Sequence, residues 1–279
     1  MAKIIGAQQA YSPGDGEEEK MALILTDFHD TIGTITFNHD IKRNALSGAL
    51  IQGLIQALND LIYQGARVII LRANKGASVW SAGFDITEFP QPGRDPLAYD
   101  DPLEQAIRAI QRCPAPVLAL LEGSVWGGAC ELAMVCDILI GTAKTSFAIT
   151  PVRLGVAYNP TGILHIINMV GMTMAREMLF TAQPVPAARA IQIGLLNHLV
   201  PLEELEDITY EMARTIAENS PISISVIKEQ LRLLSNALPL SSETFERIQG
   251  LRRQVYDSHD FQEGQKAFLE KRKPIFKGE

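Results

Sequence analysis

A chain of 279 residues, 47% hydrophobic and 20% charged, has the make-up of an ordinary globular protein with room for one large core and a smaller appendage. Its formal net charge of −7 excludes a general nucleic-acid surface, which needs clustered Lys and Arg, but leaves room for a local basic patch facing an anionic ligand. Cys113, Cys130 and Cys136 lack a zinc-type C-x-x-C spacing and read as reduced, buried thiols. No apolar stretch reaches the roughly 18–20 residues of a bilayer span. The N-terminus lacks a secretory apolar core, and the first arginine is Arg43, so the expected compartment is the cytoplasm.

Residues 1–20, with Pro13, Gly14, Gly16 and the run Glu17-Glu18-Glu19, show no apolar periodicity and read as a flexible N-terminal tail. From residue 21 the pattern is structured. Residues 22–26 and 32–37 read as hairpin strands. Ser47 is placed to cap a helix with Leu50, Leu54, Leu58 and Leu61 on one stripe, and Gly65 ends it. The short apolar runs 68–71, 117–121 and 138–140 lack polar alternation, as strands covered on both faces do, and the helical stretches 105–111 and 127–135 lie between them. This order predicts an α/β fold with right-handed crossovers. The segment 85–101, with Pro90, Pro92, Gly93 and Pro96, is long for a connection and reads as a lid or binding loop. Beyond 184 the pattern is helical over 187–193, 202–218, 222–234, 242–256 and 261–271, with one strand at 196–200. The division expected is a tail over 1–20, a core over 21–200 and a helical region over 201–279.

Two stretches carry the chemistry, Ser81-Ala82-Gly83-Phe84-Asp85 and Gly127-Gly128-Ala129-Cys130-Glu131. The Gly127-Gly128 pair admits a packing role, a helix start set close against a strand. It also admits a functional one, because a strand feeding a glycine turn at a helix start leaves backbone N–H groups without intrahelical partners. Neither stretch matches G-x-G-x-x-G or a P-loop. Glu131, one turn after Gly128, reads either as an acid near a helix start or as a carboxylate returning towards a pocket mouth. Tyr158 reads as a rim aromatic or a site hydroxyl. The basic clusters Lys42-Arg43 and Lys271-Arg272-Lys273 read as solvated surface or as phosphate partners. His29, His39, His165, His198 and His259 share no ligand spacing, so no metal is assigned and none is expected to be the general base.

Through Ser81-Ala82-Gly83-Phe84-Asp85-Ile86 and Glu122-Gly123-Ser124-Val125-Trp126-Gly127-Gly128-Ala129-Cys130-Glu131-Leu132 the sequence resembles the crotonase (enoyl-CoA hydratase/isomerase) superfamily, from about residue 21 onward. Further runs resemble its methylmalonyl-CoA decarboxylase branch. They are Gly93-Arg94-Asp95-Pro96-Leu97, Tyr99-Asp100-Asp101-Pro102-Leu103, Thr150-Pro151-Val152, Phe245-Glu246-Arg247-Ile248-Gln249-Gly250 and Ala267-Phe268-Leu269-Glu270-Lys271-Arg272-Lys273-Pro274. The resemblance implies a ββα spiral core with a C-terminal helical layer used for trimerisation, assembled as a trimer or a dimer of trimers. It implies an oxyanion hole from the backbone N–H groups of Phe84 and Gly128, with Ala82, Gly83, Phe84, Asp85 and Ile86 lining the thioester end. That branch carries a histidine where Phe84 stands, so the amide donor is kept and an imidazole contact is lost. Hydratases place a second glutamate twenty residues after the first, and this chain has Pro151 there. Paired carboxylates are what hydration by general acid–base catalysis requires. In their place the resemblance puts Thr150 and Tyr158 as partners of a departing carboxylate, leaves Glu131 as a minor candidate for proton handling, sets Lys42 and Arg43 beside the CoA phosphates, and has Lys271 reach the CoA of an adjacent subunit. The implied activity is decarboxylation of methylmalonyl-CoA to propionyl-CoA without an added cofactor, CoA being part of the substrate. The alternatives are an enoyl-CoA hydratase or isomerase and a non-catalytic acyl-CoA-binding scaffold.

Overall fold

The structure, a computed structural model, describes residues 22–88, 100–235 and 241–278. The N-terminal tail and most of the 85–101 segment, with the 93–97 run, lie outside the described residues.

A hairpin comes first, β1 (Ile24–His29) and β2 (Ile32–Phe37), reversed through Asp30 and Thr31, both at positive φ. Helix α1 (Gly48–Tyr63) starts where the Ser47 side chain accepts the Leu50 N–H; it buries Leu50, Leu54, Leu58 and Leu61 and stops before Gly65. The chain then runs three times through strand, strand, helix. The first pass is β3 (Val68–Ala73), β4 (Val79–Ser81) and α2 (Pro102–Arg112). The second is β5 (Val117–Leu121), β6 (Ser124–Trp126) and α3 (Gly128–Met134). The third is β7 (Ile138–Gly141), β8 (Ser146–Ala148) and α4 (Pro160–Thr181). β9 (Val185–Pro186), α5 (Ala187–Gln192) and β10 (His198–Leu199) lead into α6 (Leu205–Ala217), α7 (Pro221–Ser235), α8 (Ser242–Tyr256) and α9 (His259–Leu269).

Each pass sends its first strand to one sheet and its second to another. The result is a larger sheet ordered β1-β2-β3-β5-β7-β10 and a smaller one ordered β4-β6-β8-β9, wound as a ββα spiral. The inner strands β3, β5 and β7 of the larger sheet are covered on both faces, which is why they lack polar alternation. Ile69, Leu71, Val117, Ala119 and Leu121 enter the main core, whereas Val68, Ile70, Leu118 and Leu120 meet Leu205, Ala213 and Ala217 of α6. The three cysteines are free and buried; burial pushes the Cys130 thiol up to about 12, and its Sγ–H donates to the Val125 carbonyl at 3.2 Å.

The structure departs from the sequence reading in three places. The smaller sheet was not expected, because its strands are two or three residues long, and β6 therefore stands between β5 and the glycine turn. Helix α4 was also not expected. It is long and apolar enough, at a mean hydropathy of 1.2, to cross a bilayer by length and composition alone, contrary to the reading that no stretch qualifies. Gly171, at φ 75° and ψ 163°, interrupts its helical dihedrals and blurs the period. Thirdly, α9 lies back on the same chain. A β-carbon at Gly155 would stand 2.6 Å from the Asp260 carbonyl oxygen, and one at Gly264 would stand 2.3 Å from that of Leu154. Two glycines thus let backbone meet backbone and bring the C-terminal helix against the turn after Thr150.

Candidate active site

The first wall of the site is a pair of loops joined backbone to backbone. Arg43 and Asn44 both adopt left-handed φ, and the turn they make presents carbonyls to the segment after β4. Ala82 N–H donates to Arg43 O at 2.9 Å, Leu46 N–H to Gly83 O at 2.8 Å and Asp85 N–H to Leu46 O at 3.3 Å. The Ser81 hydroxyl adds a bond to Asn44 O at 2.7 Å. Residues on either side of Phe84 thus pair with Leu46 across a parallel bridge. In such a bridge the middle residue turns its own N–H away from the partner.

On that outward side lies the Gly127-Gly128 turn. A β-carbon on Gly83, where φ is +86°, would stand 2.5 Å from Trp126 O and 3.2 Å from Gly128 N. One on Gly128 would stand 3.8 Å from Phe84 N. The two glycine stretches are therefore in contact, and the Phe84 and Gly128 amides are neighbours. Gly128 opens α3, so its N–H has no carbonyl one turn earlier to bond. The Gly127 amide is spent on Ala148 O at 2.8 Å, which ties the turn to β8.

These amides border a cavity of about 830 Å³, within the size range of cofactor-sized ligand sites. Its lining includes Lys42, Arg43, Ala82, Phe84, Asp85, Ile86, Gly128, Thr150, Tyr158 and Lys271. With the exception of Glu131 and Gly83, every site residue expected from the sequence lines this one space; Gly83 lies directly behind it under Trp126. Lys271, which the resemblance has reach the CoA of an adjacent subunit, lines the cavity of its own chain here, together with Phe268, because Gly155 and Gly264 admit α9 so closely.

Asp85 is the one acidic residue lining the cavity among the described residues, and it is committed elsewhere. Its Oδ1 accepts the Thr87 N–H at 3.1 Å and the Thr87 hydroxyl at 2.7 Å, and Lys42 Nζ stands 3.5 Å from Oδ2. Burial opposes its ionisation, but the Thr87 bonds and the Lys42 charge outweigh burial and leave the carboxyl below the usual range. Position 151 contributes the ring of Pro151 to the wall.

Glu131 does not reach the cavity mouth. On the short α3 it points into the α3–α4 contact, 1% exposed, where its Oε1 meets His165 Nδ1 at 2.9 Å. Gly162 makes the space: a β-carbon there would stand 2.3 Å from the Tyr158 ring and 2.6 Å from Glu131 Oε2. Tyr158 is thus a partition, with the cavity on one side and Glu131 on the other. Its hydroxyl is buried and lies towards Glu131 without closing a hydrogen bond of ordinary geometry. Burial first, and the Glu131 charge second, hold it well above the usual phenol range, so it stays a protonated donor.

Glu104 and Asn159 complete this layer and were not read from the sequence. Glu104 on α2 is 4% exposed and accepts from Asn159 Nδ2 at 2.5 Å, with Arg108 at 3.8 Å. Burial, reinforced by the Glu131 charge, pushes Glu104 up to about 7. The signal that would have found this layer is local: Asn159 is the N-cap of α4 and Pro160 its first residue, a helix start that puts Gly162 and His165 on the face turned to Glu131.

A pocket with two neighbouring backbone amides, apolar walls and a basic rim defines an acyl-thioester site in a ββα spiral. The chain belongs to the enoyl-CoA hydratase/isomerase (crotonase) family, whose sequence model matches residues 27–279. It is 53% identical over 247 residues to the methylmalonyl-CoA decarboxylase of Escherichia coli, covering 88% of this chain and 95% of that protein. It is 34% identical over 258 residues to human enoyl-CoA hydratase domain-containing protein 3, covering 90% and 82%. A solved methylmalonyl-CoA decarboxylase in complex with 2-nitronate-propionyl-CoA superposes with a TM-score of 0.91 at 50% identity, covering 92% of this chain and 99% of that one.

Proposed function

We propose that this chain decarboxylates methylmalonyl-CoA to propionyl-CoA through an enolate held by the backbone N–H groups of Phe84 and Gly128. The observation that carries this reading is the cavity wall itself: Thr150, Pro151 and Tyr158 occupy the side where hydration would need a second carboxylate, and Asp85 is held by Thr87 and Lys42. Breaking the C–C bond of a malonyl-type thioester delivers the electron pair to the thioester carbonyl without any base. Two fixed amides facing the oxygen that gains the charge lower that barrier directly. Thr150 and Tyr158 offer hydroxyls to orient the substrate carboxylate, while the apolar faces of Phe84, Ile86 and Leu103 solvate it poorly and favour its departure as neutral CO₂. As written the reaction consumes one proton and calls on no redox or metal step.

Lys42, Arg43 and Lys271 form the basic rim and supply the charge a CoA phosphate needs. Assembly into trimers is part of the same reading; the exposed Ile222, Ile227 and Leu234 of α7 support it, as an apolar face of that kind marks a contact surface.

The test is product analysis with methylmalonyl-CoA and crotonyl-CoA side by side. CO₂ and propionyl-CoA from the first, with the absorbance of the second unchanged, is the expected result. Rapid loss of the crotonyl-CoA absorbance establishes a hydratase instead, and binding of both without turnover a scaffold.

A further inference from the structure

Decarboxylation leaves an enolate that must take up one proton for each CO₂ released; the cations that line the large cavity, Lys42, Arg43 and Lys271, form its rim, and the side set against Glu131 is Tyr158. The polar layer behind Tyr158 does not end in the core. His165 Nδ1 meets Glu131 at 2.9 Å, and its Nε2 meets Gln111 Nε2 at 2.9 Å. His165 and Gln111 both line a second cavity of about 290 Å³, bordered also by Asn168, Lys228 and Ser235 on the far side of α4. Lys228 is bonded to Asp137, Ile110 O and Ala115 O; the ionisable groups around the imidazole are Glu131 beside it, Glu104 behind, and Asp137, Lys228 and Arg232 across the second cavity. From cavity to cavity the order is Tyr158, Glu131, His165.

Resting on the decarboxylase reading, we infer that this row is a proton entrance: the enolate is protonated by Tyr158, which is refilled through Glu131 and His165 from the second cavity rather than through the substrate mouth. The Tyr158 hydroxyl that held the departing carboxylate then faces the carbon it left. That carbon takes the hydroxyl proton; water protonates the His165 ring at Nε2, the Nδ1 proton passes to the Glu131 carboxylate and from it to the phenolate, and the ring regains its Nδ1–H form by proton exchange before the next turnover. One proton enters from solvent and one C–H bond forms, so the sum balances the loss of CO₂. Gln111 orients the ring, and rotation of its amide frees Nε2 for water. Gly162 is required because any β-carbon would part Tyr158 from Glu131. His165 touches no substrate; it acts through Glu131.

His165→Asn separates relay from positioning, because its amide can keep the bond to Glu131 but cannot pass a proton on. The expected result is kcat down by between about 10- and 100-fold, KM little changed, and a solvent deuterium isotope effect on kcat larger than that of the wild type. In His165→Gly, imidazole added to the assay restores turnover through the second cavity. Gln111→Leu, which covers Nε2 with hydrocarbon far from the substrate, raises the isotope effect to a smaller extent and guards against misfolding of the His165 variants. Wild-type turnover with an isotope effect unchanged in His165→Asn and Gln111→Leu, or no rescue by imidazole, overturns the relay alone. A wild type that yields no CO₂ from methylmalonyl-CoA overturns the decarboxylase reading and the relay with it.

Discussion

The front wall of the cavity and the layer behind Tyr158 are built in opposite ways. The wall is backbone: the Phe84 and Gly128 amides are aimed by chain path, and side-chain identity at position 84 leaves the donor in place. The back layer is side chain: Glu104, Glu131, Asn159, His165 and Tyr158 come from three helices and the turn before one of them, and each depends on its neighbours. A backbone device is broken by a β-carbon and spared by most polar changes. A side-chain device is broken by single atoms and leaves the fold standing.

The largest expected effect tests the wall. In Gly83→Ala the new methyl meets the Trp126 carbonyl at a left-handed φ, and neither backbone can yield; decarboxylation kcat/KM falls by roughly 10²–10³, the cost of a displaced oxyanion donor. Gly128→Ala meets chiefly Leu103 Cδ2, the end of a movable side chain, and loses less in the same assay. Equal losses break the claim that the wall is set by backbone contact at Gly83.

Next comes Tyr158→Phe. CO₂ release drops by roughly 10–100-fold, as for loss of one positioned proton-bearing group. The thermal midpoint does not fall, because the hydroxyl removed is buried without closing an ordinary hydrogen bond and its loss relieves a desolvation cost. A variant as active as the wild type sinks the role of Tyr158 on both faces of the partition.

A third effect is read in stability against pH. Glu104 titrates near 7 in the folded chain and near 4.5 unfolded, so between these values the folded state holds the extra proton and stability falls as pH rises. Glu104→Gln removes that slope, a difference of a few kcal/mol between pH 5 and pH 8. Melting curves at the two pH values check it, and an unchanged slope shows that Glu104 ionises freely.

The smallest effect belongs to the rim. Lys271→Ala raises KM by about two- to fivefold with kcat unchanged, the size of an exposed charge pair, and added salt narrows the gap. A change in kcat would place Lys271 nearer the reacting atoms than the cavity lining does.

Much of the fold was legible because its signals are local. The Ser47 cap, the leucine stripe of α1, the apolar runs that became β3, β5 and β7, and the bounds of α8 follow from neighbours a few residues apart. The strands of the smaller sheet were not legible, since three residues hold no period and gain their partners only from other passes of the spiral. Helix α4 carried a good start signal at Asn159-Pro160 but lost its periodicity at Gly171. The amides of the site were legible as motifs. Glu131 was legible as a residue and misplaced as a direction, since one turn along a helix gives a face and not a neighbour.

By itself the sequence determined the elements of the core, the glycines that let two backbones approach, the proline that stands where a second carboxylate would, and the family. These rest on short-range sterics and on residue types whose chemistry does not depend on context. Only the tertiary structure decided that Lys271 lines the cavity of its own chain, that Tyr158 stands between that cavity and Glu131, and that Glu104 and His165 flank Glu131. Each of those joins residues tens of positions apart, and burial among such neighbours, not residue type, sets the charge and the reach of a carboxyl, a phenol or an imidazole.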